Sequence, residues 1–126
     1  MKHAIYSGMI AATCMTGTAA TAQDMTLTCQ FETECIDMDG CDATDYQTTY
    51  AYTSQDGAIA TRTDMSDTSI GMMTKRDGIM RFSAGDFPRE AEETLTVASD
   101  GSARLVITMA DVPMIITYAG ACKEQS

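Results

Sequence analysis

The side chains able to do chemistry in this 126-residue sequence are cysteines, carboxylates and tyrosines, because histidine occurs once, at His3, and tryptophan not at all. Cys29, Cys35, Cys41 and Cys122 lie in the body of the chain, and Cys14 lies near its start. Four thiols suit either two disulfides or one tetrahedral metal. The spacing from Cys29 to Cys35 to Cys41 lacks the close C-x-x-C pairs of zinc motifs, and no histidine follows to complete a site. Disulfides are therefore the expected state. The missing histidine also removes the Ser-His and Cys-His nucleophiles, and oxidised cysteines leave no thiolate. No C-x-x-C redox site, phosphate loop or zinc-hydrolase helix motif is present. Paired carboxylates remain, since acid/base hydrolysis needs only two. With eighteen acidic residues in the chain, neighbours such as Glu32-x-Glu34 and Glu92-Glu93 arise by chance. The expectation is a protein that is not an enzyme and carries no cofactor.

The run Asp37-Met38-Asp39-Gly40-Cys41-Asp42-Ala43-Thr44-Asp45 gathers carboxylates on a tight turn, as calcium prefers. Its glycine stands fourth where the helix-loop-helix calcium motif has it sixth, and the terminal glutamate of that motif is missing. The run is read as a solvated loop pinned by a disulfide; Asp37, Asp39, Asp42 and Asp45 are the residues that would ligate calcium. Tyr46, Tyr50 and Tyr52 fall on one face of an alternating segment and are read as core before they are read as a binding stripe. The methionines are scattered apart from Met72-Met73. They are read as filling gaps in a small core rather than as a copper or oxidant-scavenging device.

These residues sit behind a leader. Met1-Lys2-His3 is basic, a weakly apolar run follows to about Met15, and small residues end at Ala20-Thr21-Ala22. That is the layout of a cleaved secretory signal over 1–22, leaving a mature domain of 23–126. The run is too short and too broken to span a bilayer, as is every later stretch. A lipid-modified Cys14 is the alternative, but Ala11-Ala12-Thr13 lacks the Leu-like start and the Gly or Ala before cysteine of a lipobox. Cleavage after Ala22 removes Cys14 and leaves an even number of thiols. It also removes Lys2, leaving seven basic against eighteen acidic residues, a net charge of −11. Such a surface repels nucleic acid and anionic lipid, attracts basic proteins or cations, and keeps an exported protein soluble. The expected compartment is the periplasm or the exterior, and the expected state is a monomer.

The elements that position these groups are strands. Four Asp-Gly dipeptides, at 39–40, 56–57, 77–78 and 100–101, mark tight turns between alternating segments. Seven or eight short strands result, enriched in Thr, Ile, Val and Tyr. The run Arg89–Glu93 has the composition of one or two helical turns. No linker or repeat divides the chain, so one all-β domain is expected, an antiparallel meander closed into a small barrel or nearly closed as a sandwich. Cys29 shares a face with Leu27 and Phe31, and Cys122 shares one with Ile116, Tyr118 and Gly120. If the first and last strands are neighbours, Cys29 meets Cys122, and Cys35 with Cys41 closes the acidic loop. On the chain-entropy model these closures contribute up to about 4.7 and about 2.4 kcal/mol, useful to a domain of this size.

The segment Ser99-Asp100-Gly101-Ser102-Ala103-Arg104-Leu105 resembles the S-G-x-G-A-R-Y stretch of the periplasmic inhibitors of c-type lysozyme. The resemblance covers about seven residues and implies a small exported β-barrel that blocks a basic hydrolase. Ser99 or Ser102 would be the loop serine, and Arg104 the motif's arginine. The family's second motif, with its Trp and Lys, has no counterpart here. The residues by themselves point to an exported binding or structural protein of the cell envelope.

Overall fold

The computed structural model describes residues 22–55, 57–85, 91–111 and 113–126. The leader 1–22 and Cys14 lie outside them, apart from Ala22. Nine strands follow in order: β1 (Asp24–Ile36), β2 (Gly40–Ala43), β3 (Gln47–Thr53), β4 (Ala58–Thr63), β5 (Thr68–Arg76), β6 (Ile79–Gly85), β7 (Ala91–Val97), β8 (Ser102–Met109) and β9 (Met114–Gln125). All pairings are antiparallel: β3 to β9 pair in chain order, β1 pairs with β3 and along most of its length with β9, and β2 pairs with β1. Eight strands thus form a closed barrel, which settles the barrel against the open sandwich. Closure leaves no long sheet edge exposed. Among the described residues there is no helix, and so none long and apolar enough to cross a membrane.

The ninth strand is β2. It pairs only with Thr33–Ile36, while the earlier half of β1 pairs with β3. A register shift between Phe31 and Thr33 bends β1 at the point where it changes partners, as a bulge does. The expected closed loop is therefore a hairpin, with Cys35 and Cys41 directly opposite and bonded. Cys29 and Cys122 are likewise direct partners on β1 and β9, with Cα atoms 4.0 Å apart. The expected helix over Arg89–Glu93 is not formed where the chain is described. Ala91, Glu92 and Glu93 begin β7, and residues 86–90 lie outside the described set. Hydrogen bonding to β6 and β8 on either side overrides the local helical preference.

The core is the barrel interior. Leu27, Cys29 and Phe31 alternate inward on β1, Thr48, Tyr50 and Tyr52 on β3, and Leu95 with Val97 on β7. Tyr50 and Phe82 meet edge to face at 4.9 Å between ring centres. The β4–β5 wall makes room for them by turning small residues inward. Ala60 is fully buried, and a Cβ on Gly71 would lie only 2.7 Å from the Phe82 ring. The larger apolar residues Ile59, Ile70 and Met72 of that wall stand outside and exposed. Two-residue connection by Asp77-Gly78, both with positive φ, joins β5 to β6 as the dipeptide predicts.

Candidate functional site

The alternation Ala58, Ala60, Arg62 carries β4 inward from one mouth of the barrel to the other, and its last inward residue is a cation. Arg62 is only 5% exposed. A guanidinium held there needs anions around it, because a lone buried charge is very costly. Two arrive. Asp64, just past the end of β4, places Oδ2 3.2 Å from Arg62 Nη1, and Glu93, inward on β7, places Oε2 3.1 Å from Nε. The Glu93 contact lies off the N–H direction, so Nε has an ion-pair partner but no directed hydrogen bond. Arg62 Nη2 also donates to the Tyr46 hydroxyl, which donates in turn to Asp64 Oδ2 at 2.5 Å.

Each partner is itself positioned. Asp64 Oδ1 accepts the amides of Ser66 and Asp67, both at 2.8 Å, so one carboxylate oxygen ties the β4–β5 turn while the other faces the arginine. The Ser69 hydroxyl donates to Glu93 Oε1 at 2.7 Å, reaching from β5 to β7 across small Ala84 on β6. Tyr46 stacks on Tyr118 at 4.6 Å between centres, and Phe31 packs against both. Burial pushes the Tyr46 hydroxyl pKa well up, the Asp64 hydrogen bond adding to it. Burial works to raise the Asp64 carboxyl, but the Tyr46 hydroxyl, the turn amides and Arg62 outweigh it and hold the pKa at about 2. For Arg62, burial works against the charge, and Glu93 leads the anions and hydroxyls that restore it and raise the pKa. Deeper still, Tyr50 Oη and Thr48 Oγ1 are buried with no hydrogen-bond partner in the protein. Above the network lies a depression of about 720 Å³, lined by Arg62, Asp64, Ser69, Glu93 and Ile107 among others.

The rim of this mouth is acidic. Glu32 and Glu34 lie late on β1, Asp37 and Asp39 in the hairpin turn, and Asp42 and Asp45 beyond it. Asp64 and Asp67 lie in the β4–β5 turn, Glu92 and Glu93 early on β7, and Asp111 before β9. Of these eleven, only Asp64 and Glu93 form an ion pair among the described residues, both with Arg62. The other described cations, Lys75, Arg76, Arg81, Arg104 and Lys123, lie toward the opposite mouth. Asp24, Asp77, Asp100 and Glu124 lie toward that mouth too, so among the described residues it is nearly balanced in charge while the rim around Arg62 is strongly acidic.

The residues singled out from sequence divide between the two mouths. Asp37, Asp39, Asp42 and Asp45 belong to the acidic rim, where Asp37 Oδ2 accepts the Ile115 amide at 2.9 Å and fastens the hairpin to β9. Among the described residues, no three His, Cys, Asp or Glu side chains are grouped so as to hold a metal ion. Glu92 and Glu93, adjacent in sequence, part to opposite faces, one exposed and one at the mouth. Tyr50 and Tyr52 are buried in the core, as expected of that stripe, while Tyr46 joins the charged network. Ser99, Ser102 and Arg104 stand exposed at the other mouth, on and after the β7–β8 turn. There Ser102 donates its hydroxyl to Asp100 Oδ1 at 2.6 Å, and with its amide lowers the Asp100 pKa. The Arg62 network was not anticipated, because in sequence Ile59 marks the apolar face of β4 and puts Arg62 on the other side. Comparison with known proteins gives no match among family models, curated proteins or solved structures.

Proposed function

We propose that this chain is an exported, non-enzymatic binding protein of the cell envelope, and that its acidic mouth receives a cationic protein. The observation that carries the reading is the difference in charge between the two mouths. Carboxylates on fixed strand ends and on a disulfide-pinned hairpin attract a basic partner before contact and raise its rate of encounter. In the depression behind the rim Arg62 already pairs with Asp64 and Glu93, and Asp67 is the lining carboxylate with no ion pair among the described residues, open to a partner's basic side chain. Two disulfides fit an oxidising compartment, in agreement with the leader. The partner's chemistry is cationic, and nucleic acid is disfavoured by the charge.

The test uses a set of cationic probe proteins, c-type lysozyme included. Binding is expected to weaken as salt rises, and Asp42→Asn/Asp45→Asn/Asp67→Asn should slow association by about tenfold or more. A variant that binds every probe as the wild type does would end this reading.

A second reading is an inhibitor of a basic hydrolase such as c-type lysozyme. What favours it is that Ser99, Ser102 and Arg104 are all exposed at one mouth, with Ser102 and Arg104 on the same outer face of β8. That reading puts the contact at the end opposite the acidic rim. It expects Ser102→Ala or Arg104→Ala to reduce inhibition of lytic activity. It fails if about a tenfold molar excess leaves that activity unchanged.

A further inference from the structure

The methionines scattered in sequence are not all scattered in space. Met25 on β1, Met73 on β5 and Met80 on β6 line one depression of about 290 Å³ at the mouth opposite the acidic rim. β1 is separated from β5 and β6 by β3 and β4 around the barrel, so residues from distant strands share the lining of this one depression. Met73 and Met80 are buried, 3% and 5% exposed, and Met25 packs partly buried against the same cluster. Met38 and Met65, by contrast, stand fully out in solvent.

We propose that Met25, Met73 and Met80 form a soft-metal site that takes one Cu(I) ion. Thioether sulfur is soft, neutral and without a proton to lose, so it selects Cu(I) over calcium, magnesium or zinc. The four cysteines among the described residues are tied in disulfides, so no thiolate there competes for a soft ion. Neutral ligands leave the charge of the ion uncompensated, and the same depression supplies a carboxylate. Glu124 accepts a hydrogen bond from the Tyr52 hydroxyl and lies 3.4 Å from Lys75 Nζ. Lys75 is mostly exposed and can swing into water when a cation arrives, whereas the tyrosine holds Glu124 in place. The proposal is independent of the acidic mouth and of the partner assigned to it.

The test labels the methionine methyl groups of the oxidised protein with ¹³C and titrates it with Ag(I), the redox-inert analogue of Cu(I). One equivalent should shift the Met25, Met73 and Met80 methyl resonances and leave Met38 and Met65 in place. Competition against a Cu(I)-specific chelator should show Met73→Leu/Met80→Leu and Met25→Leu each weakening Cu(I) binding by about tenfold or more. Met38→Leu/Met65→Leu should bind as the wild type does. The wild-type spectrum decides even if a core variant fails to fold. Shifts at Met38 or Met65 instead of the three, no Ag(I)-induced shift, or equal response to Zn(II) would each overturn the proposal.

Discussion

Each mouth of the barrel brings together a tyrosine hydroxyl, a carboxylate and a cation: Tyr46, Asp64 and Arg62 at one, Tyr52, Glu124 and Lys75 at the other. Burial separates them. The Arg62 and Asp64 side chains are 6% and 8% exposed, whereas those of Lys75 and Glu124 are 57% and 27% exposed. Asp64 also receives two turn amides, and Glu93 completes the charge around Arg62. The first set is fixed in a low-dielectric pocket where every member depends on the others. The second is bathed in water, and its lysine is free to leave. The same three functional groups thus make a rigid floor at one mouth and a loose rim at the other.

The largest difference expected between them appears when the cation is removed. Arg62→Met leaves Asp64 and Glu93 as largely buried anions without their cation and should cost about 3–5 kcal/mol in urea unfolding. Lys75→Gln should cost no more than about 1 kcal/mol. Adding Asp64→Asn and Glu93→Gln to Arg62→Met should recover stability, because the stranded charges are gone. Equal losses for Arg62→Met and Lys75→Gln would erase the distinction.

Acid titration gives a smaller and separate contrast. The Asp64 pKa is about 2, below its ordinary 3.8, so its contribution is present above the ordinary value and is lost as pH falls through about 2. Wild type should therefore lose stability from about pH 4 to about pH 2. Asp64→Asn should flatten that limb. Asp100→Asn should change it less, because Asp100 is exposed to solvent and screened there. An acid limb unchanged by Asp64→Asn would show that the network is not held as described.

The disulfide pairing was legible because it depends on alternation and closure alone: Cys29 and Cys122 each share a face with core residues, and a barrel makes first and last strands neighbours. Asp77-Gly78 was legible because its chemistry is local. Three features were not. β2 has no alternating apolar pattern in Gly40–Ala43 and pairs beside a disulfide, so it read as a loop. Ala91–Glu93 carries helical propensity that its strand neighbours override. On β4 the apolar pattern is inverted: Ile59 is 73% exposed, while small Ala60 and charged Arg62 face inward. Packing causes that inversion. Tyr50 and Phe82 already fill the interior beside β4 and β5, so the wall there must be thin. An amphipathic reading of Ala58–Thr63 puts Arg62 on the wrong side, and the site built around it could not be seen until the strands were paired.

The central claim, that the acidic mouth is the binding face, is tested most directly by mapping amide chemical-shift changes during titration with a cationic protein such as c-type lysozyme. The account predicts changes concentrated in the hairpin over residues 32–45, in Asp64–Ser69 and around Glu93, and attenuated by salt. Changes centred instead on Ser99–Arg104, or evenly spread over both mouths, would contradict it.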